Sequence, residues 1–276
     1  MVKKIIIFTL TIVLSLSCSR INYTVNSKKY LSMGMNERVK FIVLHYTATT
    51  DEVGLRGLTQ GNVSSHYFIS TKDEEPIYNI VPLEKRAWHA GVSEFNGRSN
   101  LNDTSIGIEI SNKGVRKYNE REKKYGFFIP REEYIYFQEG QIKKLANLLQ
   151  KLIAEYKIKP YDIVGHSDIA PTRKIDPGPK FPWELLYREY GIGAWYDEKD
   201  KRFFMNEKLY QVTPVEKIKE EFRKYGYKIN YNDEWDEESR RVVYNFQAHF
   251  NPKNMTGNMD LETYAILRAL NKKYKK

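Results

Sequence analysis

The chain has 276 residues, 41% of them hydrophobic and 14% aromatic, which suits one or two globular domains and excludes disorder throughout. The formal net charge of +10 favours association with anionic polymers or surfaces, such as cell wall or anionic lipid. Because no zinc finger, basic-region heptad or RNA-binding motif accompanies this charge, we expect no nucleic acid partner.

The first residues have the pattern of an export signal. Lys3 and Lys4 precede an apolar run from residue 5 to 16. That run is shorter than the roughly 20 apolar residues that span a bilayer, but it has the length and flanks of a signal-peptide core. We therefore expect residues 1–17 to be a signal peptide and the mature chain to leave the cytoplasm.

Cys18 follows this signal and is the only cysteine, so no intramolecular disulfide can form. Its position resembles the lipobox of bacterial lipoproteins, although Ser15 stands where leucine is more usual. The resemblance implies lipidation of Cys18 and an anchor in the outer membrane, facing the periplasm. A plain secretory signal with an incidental cysteine is the alternative. Residues 18–38 are polar and aperiodic, as expected of a tether.

In residues 39–200, strand-like segments alternate with helical ones. This pattern predicts an α/β or α+β domain with a mixed central β-sheet flanked by helices. Apolar and alternating runs predict strands, and residues 113–134, rich in charge and tyrosine, predict an exposed excursion. A stripe of apolar residues from Ile142 to Tyr156 predicts one long helix. The predicted strands are 39–45, 65–69, 76–81, 105–110 and 162–165, and the shorter predicted helices are 51–60 and 182–191.

Residues 206–276 show helical stripes without convincing strands. Apolar residues recur at helical spacing around Val215–Tyr225, Val242–Phe250 and Tyr264–Leu270. We expect three helices that form a small all-α domain.

Two segments far apart in the chain predict a zinc site. His45 ends one strand-like run, His166 ends another, and Asp176 follows ten residues later in a loop fixed by proline and glycine. Two imidazoles and a carboxylate can hold zinc and leave a fourth position open for water. His66 or His89 could supply a ligand instead, since spacing alone does not exclude them.

Hydrolysis of an amide also needs a base and a group that stabilises the oxyanion. Glu109 stands in a predicted strand, an unfavourable position for a carboxylate unless it faces a cleft or a partner. Lys174 lies two residues before Asp176, where the same loop could direct it at the site. His249 lies among helical aromatic residues and is expected to be structural.

Several segments together resemble the type 2 N-acetylmuramoyl-L-alanine amidases, and within them the lipoprotein branch. The similar segments span most of residues 39–190, and 246–267 resembles the three-helix peptidoglycan-binding module of that branch. The segments are FIVLHYTAT at 41–49, NVSSHYFI at 62–69, AWHAGVS at 87–93, LNDTSIGIEISNKG at 101–114 and VGHSDIAPTRKIDPGPKFPW at 164–183.

The resemblance implies a zinc-dependent enzyme that cleaves the amide between N-acetylmuramic acid and L-alanine in peptidoglycan or muropeptides. It places the zinc ligands at His45, His166 and Asp176, the catalytic glutamate at Glu109 and the lysine near the metal at Lys174. It also implies a groove wall for the substrate, made by Trp88, His89 and Asn102.

We expect the chain to be a monomer. Three other functions remain open. A non-catalytic peptidoglycan-recognition protein could share the fold, but the intact metal set favours an enzyme. A peptidase acting within the stem peptide is a second alternative. A cytoplasmic recycling amidase is the third, and the export signal argues against it.

Overall fold

The computed structural model describes residues 23–275, so the predicted signal peptide and Cys18 lie outside the described residues. Contacts between Cα atoms divide the chain between Asn36 and Glu37. Residues 23–36 contain neither helix nor strand, and their side chains are exposed. Between residues 23 and 275, no helix combines the length and the hydrophobicity needed to cross a membrane.

From Glu37 onward the chain alternates strands and helices before it becomes wholly helical. The strands are β1 (Phe41–Tyr46), β2 (Tyr67–Ile69), β3 (Tyr78–Asn79), β4 (Glu94–Phe95), β5 (Arg98–Ser99), β6 (Ser105–Ile110) and β7 (Ile163–Gly165). The helices are α1 (Asp51–Gln60), α2 (Tyr118–Tyr125), α3 (Glu139–Tyr156), α4 (His166–Ile169), α5 (Trp183–Tyr190), α6 (Glu198–Phe204), α7 (Glu207–Val212), α8 (Val215–Tyr225), α9 (Glu237–Phe250) and α10 (Leu261–Tyr274).

A five-stranded mixed sheet forms the centre, in the order β3-β2-β6-β1-β7. β1 runs parallel to both β6 and β7, β2 runs parallel to β6, and only β3 is antiparallel to its neighbour. Phe41 to Leu44 in β1 are fully buried, as expected of a central parallel strand covered on both faces. The predicted mixed sheet is confirmed.

The excursion at 113–134 differs from its prediction. It contains helix α2, and it buries Val115, Ile129 and Tyr134 in a small cluster of their own. The hydroxyl of Tyr134 also lies 3.0 Å from that of Tyr244 in α9. Most of the excursion is exposed or half-buried as predicted, but its many charges hid these few buried positions and the helix.

The three helices expected after residue 206 are present as α8, α9 and α10, and two short helices, α6 and α7, precede them. Asp236 and Asp260 are the N-cap residues of α9 and α10, and their carboxylates accept hydrogen bonds from backbone N–H groups in the first turn. One continuous hydrophobic core runs from Val39 in the sheet region to Leu270 in α10. The sheet and the C-terminal helices therefore pack into one body.

Candidate active site

The parallel strands bring three distant residues to one edge of the sheet. His45 near the end of β1 pairs in register with Glu109 near the end of β6. Leu44 pairs with Gly165 in β7, and His166 follows at once as the first residue of α4. Because β1, β6 and β7 are parallel, their carboxyl ends lie together at one edge, where α/β proteins commonly place their sites.

Asp176 completes a compact cluster with the two histidines. Its Oδ2 lies 3.1 Å from Nδ1 of His45 and 3.2 Å from Nδ1 of His166, and the two Nδ1 atoms are 3.0 Å apart. The backbone of Asp176 is held by the N–H of Ser167, which donates to its carbonyl at 2.8 Å. Within residues 23–275, this is the one group of His, Cys, Asp or Glu residues placed to hold a metal ion.

The second nitrogen of each histidine has its own partner. Nε2 of His45 is 3.0 Å from Nδ1 of His89, and Nε2 of His89 is 3.1 Å from Oγ of Ser105, which itself donates to the carbonyl of Leu101. Nε2 of His166 lies 3.1 Å from the carbonyl of Ala90 and can only donate to it. With a proton on each Nε2, both Nδ1 atoms present lone pairs to the site.

The charges of the cluster follow from its burial. Desolvation, and then the proximity of His166, lower the pKa of His45 to about 4, so its ring is neutral at neutral pH. Burial raises the pKa of Asp176, but the neighbouring His166 and His45 outweigh burial and hold that pKa below its ordinary value. A neutral His45 and an ionised Asp176 are the ionisation states that metal binding requires of these two ligands.

Glu109 lies beside this cluster in a different electrostatic state. Burial, reinforced by the negative charge of Asp176, raises the pKa of Glu109 to about 8, and the positive charge of Lys174 opposes the shift. Its Oε2 is buried and has no hydrogen-bond partner among residues 23–275. A carboxyl group that titrates near neutral pH can both accept and donate a proton.

A groove of about 790 Å³ opens over the cluster, and Glu109 and Lys174 line it. Trp88 stands in its wall with 59% of its surface exposed, and His89 lines it while only 8% exposed. Asn102 lies behind the wall, where its Oδ1 accepts from the backbone N–H groups of His89 and Ala90 at 3.0 and 2.7 Å. Direct contact of these three residues with a substrate stays a prediction.

The remaining histidines are engaged elsewhere. Nδ1 of His66 accepts from the backbone N–H of Gly107 at 3.0 Å, and its Nε2 donates to the carbonyl of Lys85 at 3.2 Å. His249 is buried in α9, and its Nδ1 lies 2.8 Å from Asp168. Both nitrogens of His66 are thus occupied outside the cluster.

Sequence reasoning did not find two residues of this region. Ser105 supports His89, as described above, and Arg173 donates from Nη2 to the carbonyls of Ala90 and Val92 at 2.7 Å each. Arg173 therefore ties the segment of Lys174 to the wall that carries Trp88. Nothing in the spacing of a lone serine or a loop arginine signals such a role, since each acts on a segment distant in sequence.

Comparison with known proteins agrees with this geometry. Residues 35–179 match the family model described as N-acetylmuramoyl-L-alanine amidase, and residues 211–267 match a model of a peptidoglycan binding domain. The N-acetylmuramoyl-L-alanine amidase AmiD of Escherichia coli is 41% identical over 244 residues, which cover 86% of this chain and 84% of that protein. The 1,6-anhydro-N-acetylmuramyl-L-alanine amidase AmpD of Enterobacter cloacae is 41% identical over 111 residues, which cover 40% of this chain and 49% of that protein.

Two solved structures match over nearly the whole chain. AmpDh3 from Pseudomonas aeruginosa superposes with a TM-score of 0.81 at 38% identity and covers 92% of this chain and 100% of that one. AmiD from E. coli, in complex with its substrate anhydro-N-acetylmuramic acid-L-Ala-D-gamma-Glu-L-Lys, superposes with a TM-score of 0.77 at 37% identity, covering 90% and 94%. The amidase model matches more than half of this chain, and the chain therefore belongs to the N-acetylmuramoyl-L-alanine amidase family.

Proposed function

We propose that this chain hydrolyses the amide bond between N-acetylmuramic acid and the L-alanine of the stem peptide, with a zinc ion held by His45, His166 and Asp176. One observation carries the proposal. The Nδ1 atoms of both histidines and Oδ2 of Asp176 lie within 3.2 Å of one another, and the partners of both Nε2 atoms leave the Nδ1 lone pairs facing that carboxylate. Such a convergence of lone pairs and negative charge is stable around a cation.

The donor set fits zinc in particular. Two imidazole nitrogens and one carboxylate oxygen, with a fourth position left open, are typical of hydrolytic zinc sites. The hydrogen bonds from Nε2 of His45 to His89 and from Nε2 of His166 to Ala90 fix both rings, as outer partners of zinc ligands commonly do. Zinc bound there would act as a Lewis acid towards water and the scissile carbonyl.

Glu109 carries the proton in this mechanism. Its carboxylate takes a proton from the attacking water and, as a carboxylic acid, returns it to the leaving amide nitrogen of L-alanine. In the metal-free chain the pKa of Glu109 is about 8, so the site tolerates the carboxylic acid. The positive charge of a bound zinc ion would lower that pKa and favour the carboxylate that takes the first proton. Lys174 faces the same groove, and its ammonium group stabilises the negative charge that develops on the carbonyl oxygen.

The variant Glu109→Ala tests this role directly. We expect hydrolysis of a defined muropeptide to fall by roughly a hundred- to ten-thousand-fold, the range typical of a lost general acid–base group. Bound zinc should stay stoichiometric in the variant, which metal analysis of the same sample checks. Near wild-type turnover with zinc bound would refute the role of Glu109, and full activity of a chelated enzyme would refute the metal.

A peptidoglycan-recognition protein without turnover is the alternative that shares this fold. The buried, unpartnered Oε2 of Glu109 beside the metal cluster favours the enzyme, since binding alone gives no reason to bury it. Incubation with purified peptidoglycan separates the two functions. The enzyme releases stem peptides that begin with L-alanine, whereas a recognition protein binds the wall and releases none.

We further propose that residues 206–276 bind peptidoglycan, in line with the model matched over 211–267. Deletion of this region is a poor test, because α9 contacts the loop that carries Lys174 and Asp176. Soluble wall fragments added to Glu109→Ala should instead shift backbone amide NMR signals within 211–267. Shifts confined to the groove would contradict this proposal.

We also propose that the chain is exported and anchored by lipid on Cys18, in the outer membrane facing the periplasm. The charged, short apolar N-terminus and the single cysteine behind it support this. Cys18→Ser should move the protein from the membrane fraction to the soluble fraction. Equal membrane association of both forms would refute the anchor.

A further inference from the structure

The segment 166–176, here called the site loop, carries His166, Lys174 and Asp176 on little regular structure. It begins with the single helical turn α4 and continues as turns. Few backbone hydrogen bonds form within the loop. The N–H of Ser167 donates to the carbonyl of Asp176, and the N–H groups of Ala170, Arg173 and Lys174 close tight turns. A loop of this kind does not fix three functional side chains by itself, so its position depends on what packs against it.

Helix α9 supplies donors to the backbone of the site loop. Nδ2 of Asn245, a fully buried side chain, donates to the carbonyl of Pro171 at 2.7 Å and to that of Lys174 at 2.9 Å. Nη1 of Arg241 donates to the carbonyl of Thr172 at 2.9 Å. Arg241 and Asn245 are four residues apart and therefore lie on one face of the helix.

The same face of α9 reaches the turn that carries His166. Nδ1 of His249 lies 2.8 Å from Oδ2 of Asp168, and the hydroxyl of Tyr227 donates to Oδ1 of the same carboxylate. Asp168 also accepts from the N–H of Gly165 at 2.6 Å, so it joins the end of β7 to the C-terminal helices. Asp168 and His249 are 1% and 4% exposed, which excludes water as the usual partner.

We propose that Arg241, Asn245, His249 and Tyr227, together called the loop clamp, position the site loop for metal binding and catalysis. The C-terminal helices are then part of the hydrolytic centre, in addition to any role in wall binding. This role of the clamp rests on the proposed zinc amidase function. The clamp acts on backbone carbonyls and on Asp168, so it sets where His166, Lys174 and Asp176 stand without touching substrate, and its members are positioning residues.

The chain offers a matched control on the same helix. Gln247 is also a fully buried amide, but its hydrogen bonds go to the loop between α9 and α10 and to α10 itself. Its Nε2 donates to Asn258 and Thr263, and its Oε1 accepts from the backbone of Thr256 and Gly257. Asn245→Leu and Gln247→Leu each remove a buried amide from α9, but only the first releases the site loop.

The test compares these two variants in the full chain. Zinc release to a chelator is followed at a temperature well below the Tm of each variant. The Tm is measured separately, and kcat and KM are measured with a defined muropeptide. For Asn245→Leu we expect zinc release about tenfold faster and kcat about tenfold lower, with KM within about twofold of wild type. A tenfold effect is at the lower end of what is lost when a residue that supports a metal ligand is removed. For Gln247→Leu we expect a lowered Tm, with zinc release and kcat within about twofold of wild type.

Equal zinc release from Asn245→Leu and Gln247→Leu would overturn the clamp. Should Asn245→Leu fail to fold, Tyr227→Phe removes a single hydroxyl and is compared with Tyr225→Phe, its buried neighbour. Faster zinc release from Tyr227→Phe alone supports the clamp, and no difference refutes it. A wild-type chain that binds no zinc would refute the proposed function instead, so the two failures are distinguishable.

Discussion

At the scale of single residues, Gly107 leaves the space that His89 fills. A Cβ atom at position 107 would come within 2.4 Å of Cγ of His89, a distance that real side chains do not reach. The imidazole of His89 lies there because its Nδ1 must meet Nε2 of His45. The smallest residue of β6 thus determines how a proposed zinc ligand is held.

Gly107→Ala should therefore act on the metal site. We expect it to displace His89, free the ring of His45 and weaken zinc binding by roughly ten- to a hundredfold, as lost outer-shell partners usually do. Competition with a chelating dye measures the affinity. Gly57→Ala is the control, because a Cβ there meets nothing within 4 Å, and its zinc affinity should equal that of wild type. An unchanged affinity for Gly107→Ala would show that His89 does not hold His45.

The pKa of Glu109 gives a second prediction at this scale. The pKa of about 8 lies above the ordinary value, so Glu109 is mostly protonated at pH 7 before metal binds. Zinc favours the carboxylate, and binding at pH 7 should expel about one proton more from wild type than from Glu109→Gln. Calorimetry in buffers of different ionisation enthalpy measures the difference.

This proton difference has a definite pH dependence. It should fall towards zero as the pH rises through about 8, because Glu109 is then already ionised in the metal-free protein. His45 adds nothing to it, since its pKa of about 4 leaves it neutral over this range. Equal proton release from wild type and Glu109→Gln at pH 7 would contradict the raised pKa.

The sequence indicated the metal cluster because strand ends are visible as apolar runs, and His45 and His166 both close such runs. It could not exclude His66 or His89 as a ligand in place of His45, since spacing alone does not distinguish them. The structure places His45 in the cluster with His166 and Asp176 through the register of β1 with β6 and β7, which depends on side chains more than 60 residues apart. Asp168 was missed for the same reason, because its partners Tyr227 and His249 lie 59 and 81 residues further along the chain.

At the scale of elements, a buried lysine fastens helix α8 to the loop before α9. Lys219 is fully buried, and its Nζ donates to the side chains of Asn230 and Asn232 and, at 2.6 Å, to the carbonyl of Glu234. Burial lowers the pKa of Lys219, but three oxygen acceptors surround its ammonium group. The lysine here takes the place that a bound cation has in many polar loops.

Lys219→Met should lower the free energy of unfolding by about 1 kcal/mol, because three acceptors lose a charged donor but the exposed Asn232 and Glu234 can turn to water. Urea denaturation followed by circular dichroism measures the change. Lys217→Met, two residues earlier, removes only a surface ion pair with Glu220 and should leave stability unchanged within error. Equal effects of the two substitutions would show that Lys219 is not an anchor.

Element types were largely predictable, and their extents less so. The stripe from Ile142 to Tyr156 marks α3 because burial on one face imposes a helical period, and helix 51–60 was predicted with the bounds that the structure has. Helices α6 and α7 have no buried residues and therefore no stripe to reveal them. The excursion at 113–134 buries only isolated positions, which a period cannot detect.

At the scale of the whole molecule, the C-terminal helices and the sheet share one hydrophobic core. Two family models match the chain in separate stretches, 35–179 and 211–267, which would suggest two independent units. The core and the loop clamp join them, because removing the helices would expose the sheet side of the core and leave Asp168 without Tyr227 and His249.

Unfolding should accordingly show a single cooperative transition for residues 37–275. In calorimetry we expect one peak, with calorimetric and van't Hoff enthalpies that agree, and loss of the zinc site in the same transition. Fluorescence of Trp183, which stacks on His249 of α9, should report the same midpoint as far-ultraviolet circular dichroism. Two separable transitions would show that the helices fold apart from the sheet.

The central claim is the identity of the bond that this chain cleaves. Mass analysis of the products from anhydro-N-acetylmuramic acid carrying a defined stem peptide tests it most directly, with zinc-loaded wild type beside Glu109→Ala. We predict that wild type yields free anhydro-N-acetylmuramic acid and an intact peptide that begins with L-alanine, and that the variant yields almost none. Peptides cut within the stem, or substrate recovered intact from the zinc-loaded wild type, would contradict the account.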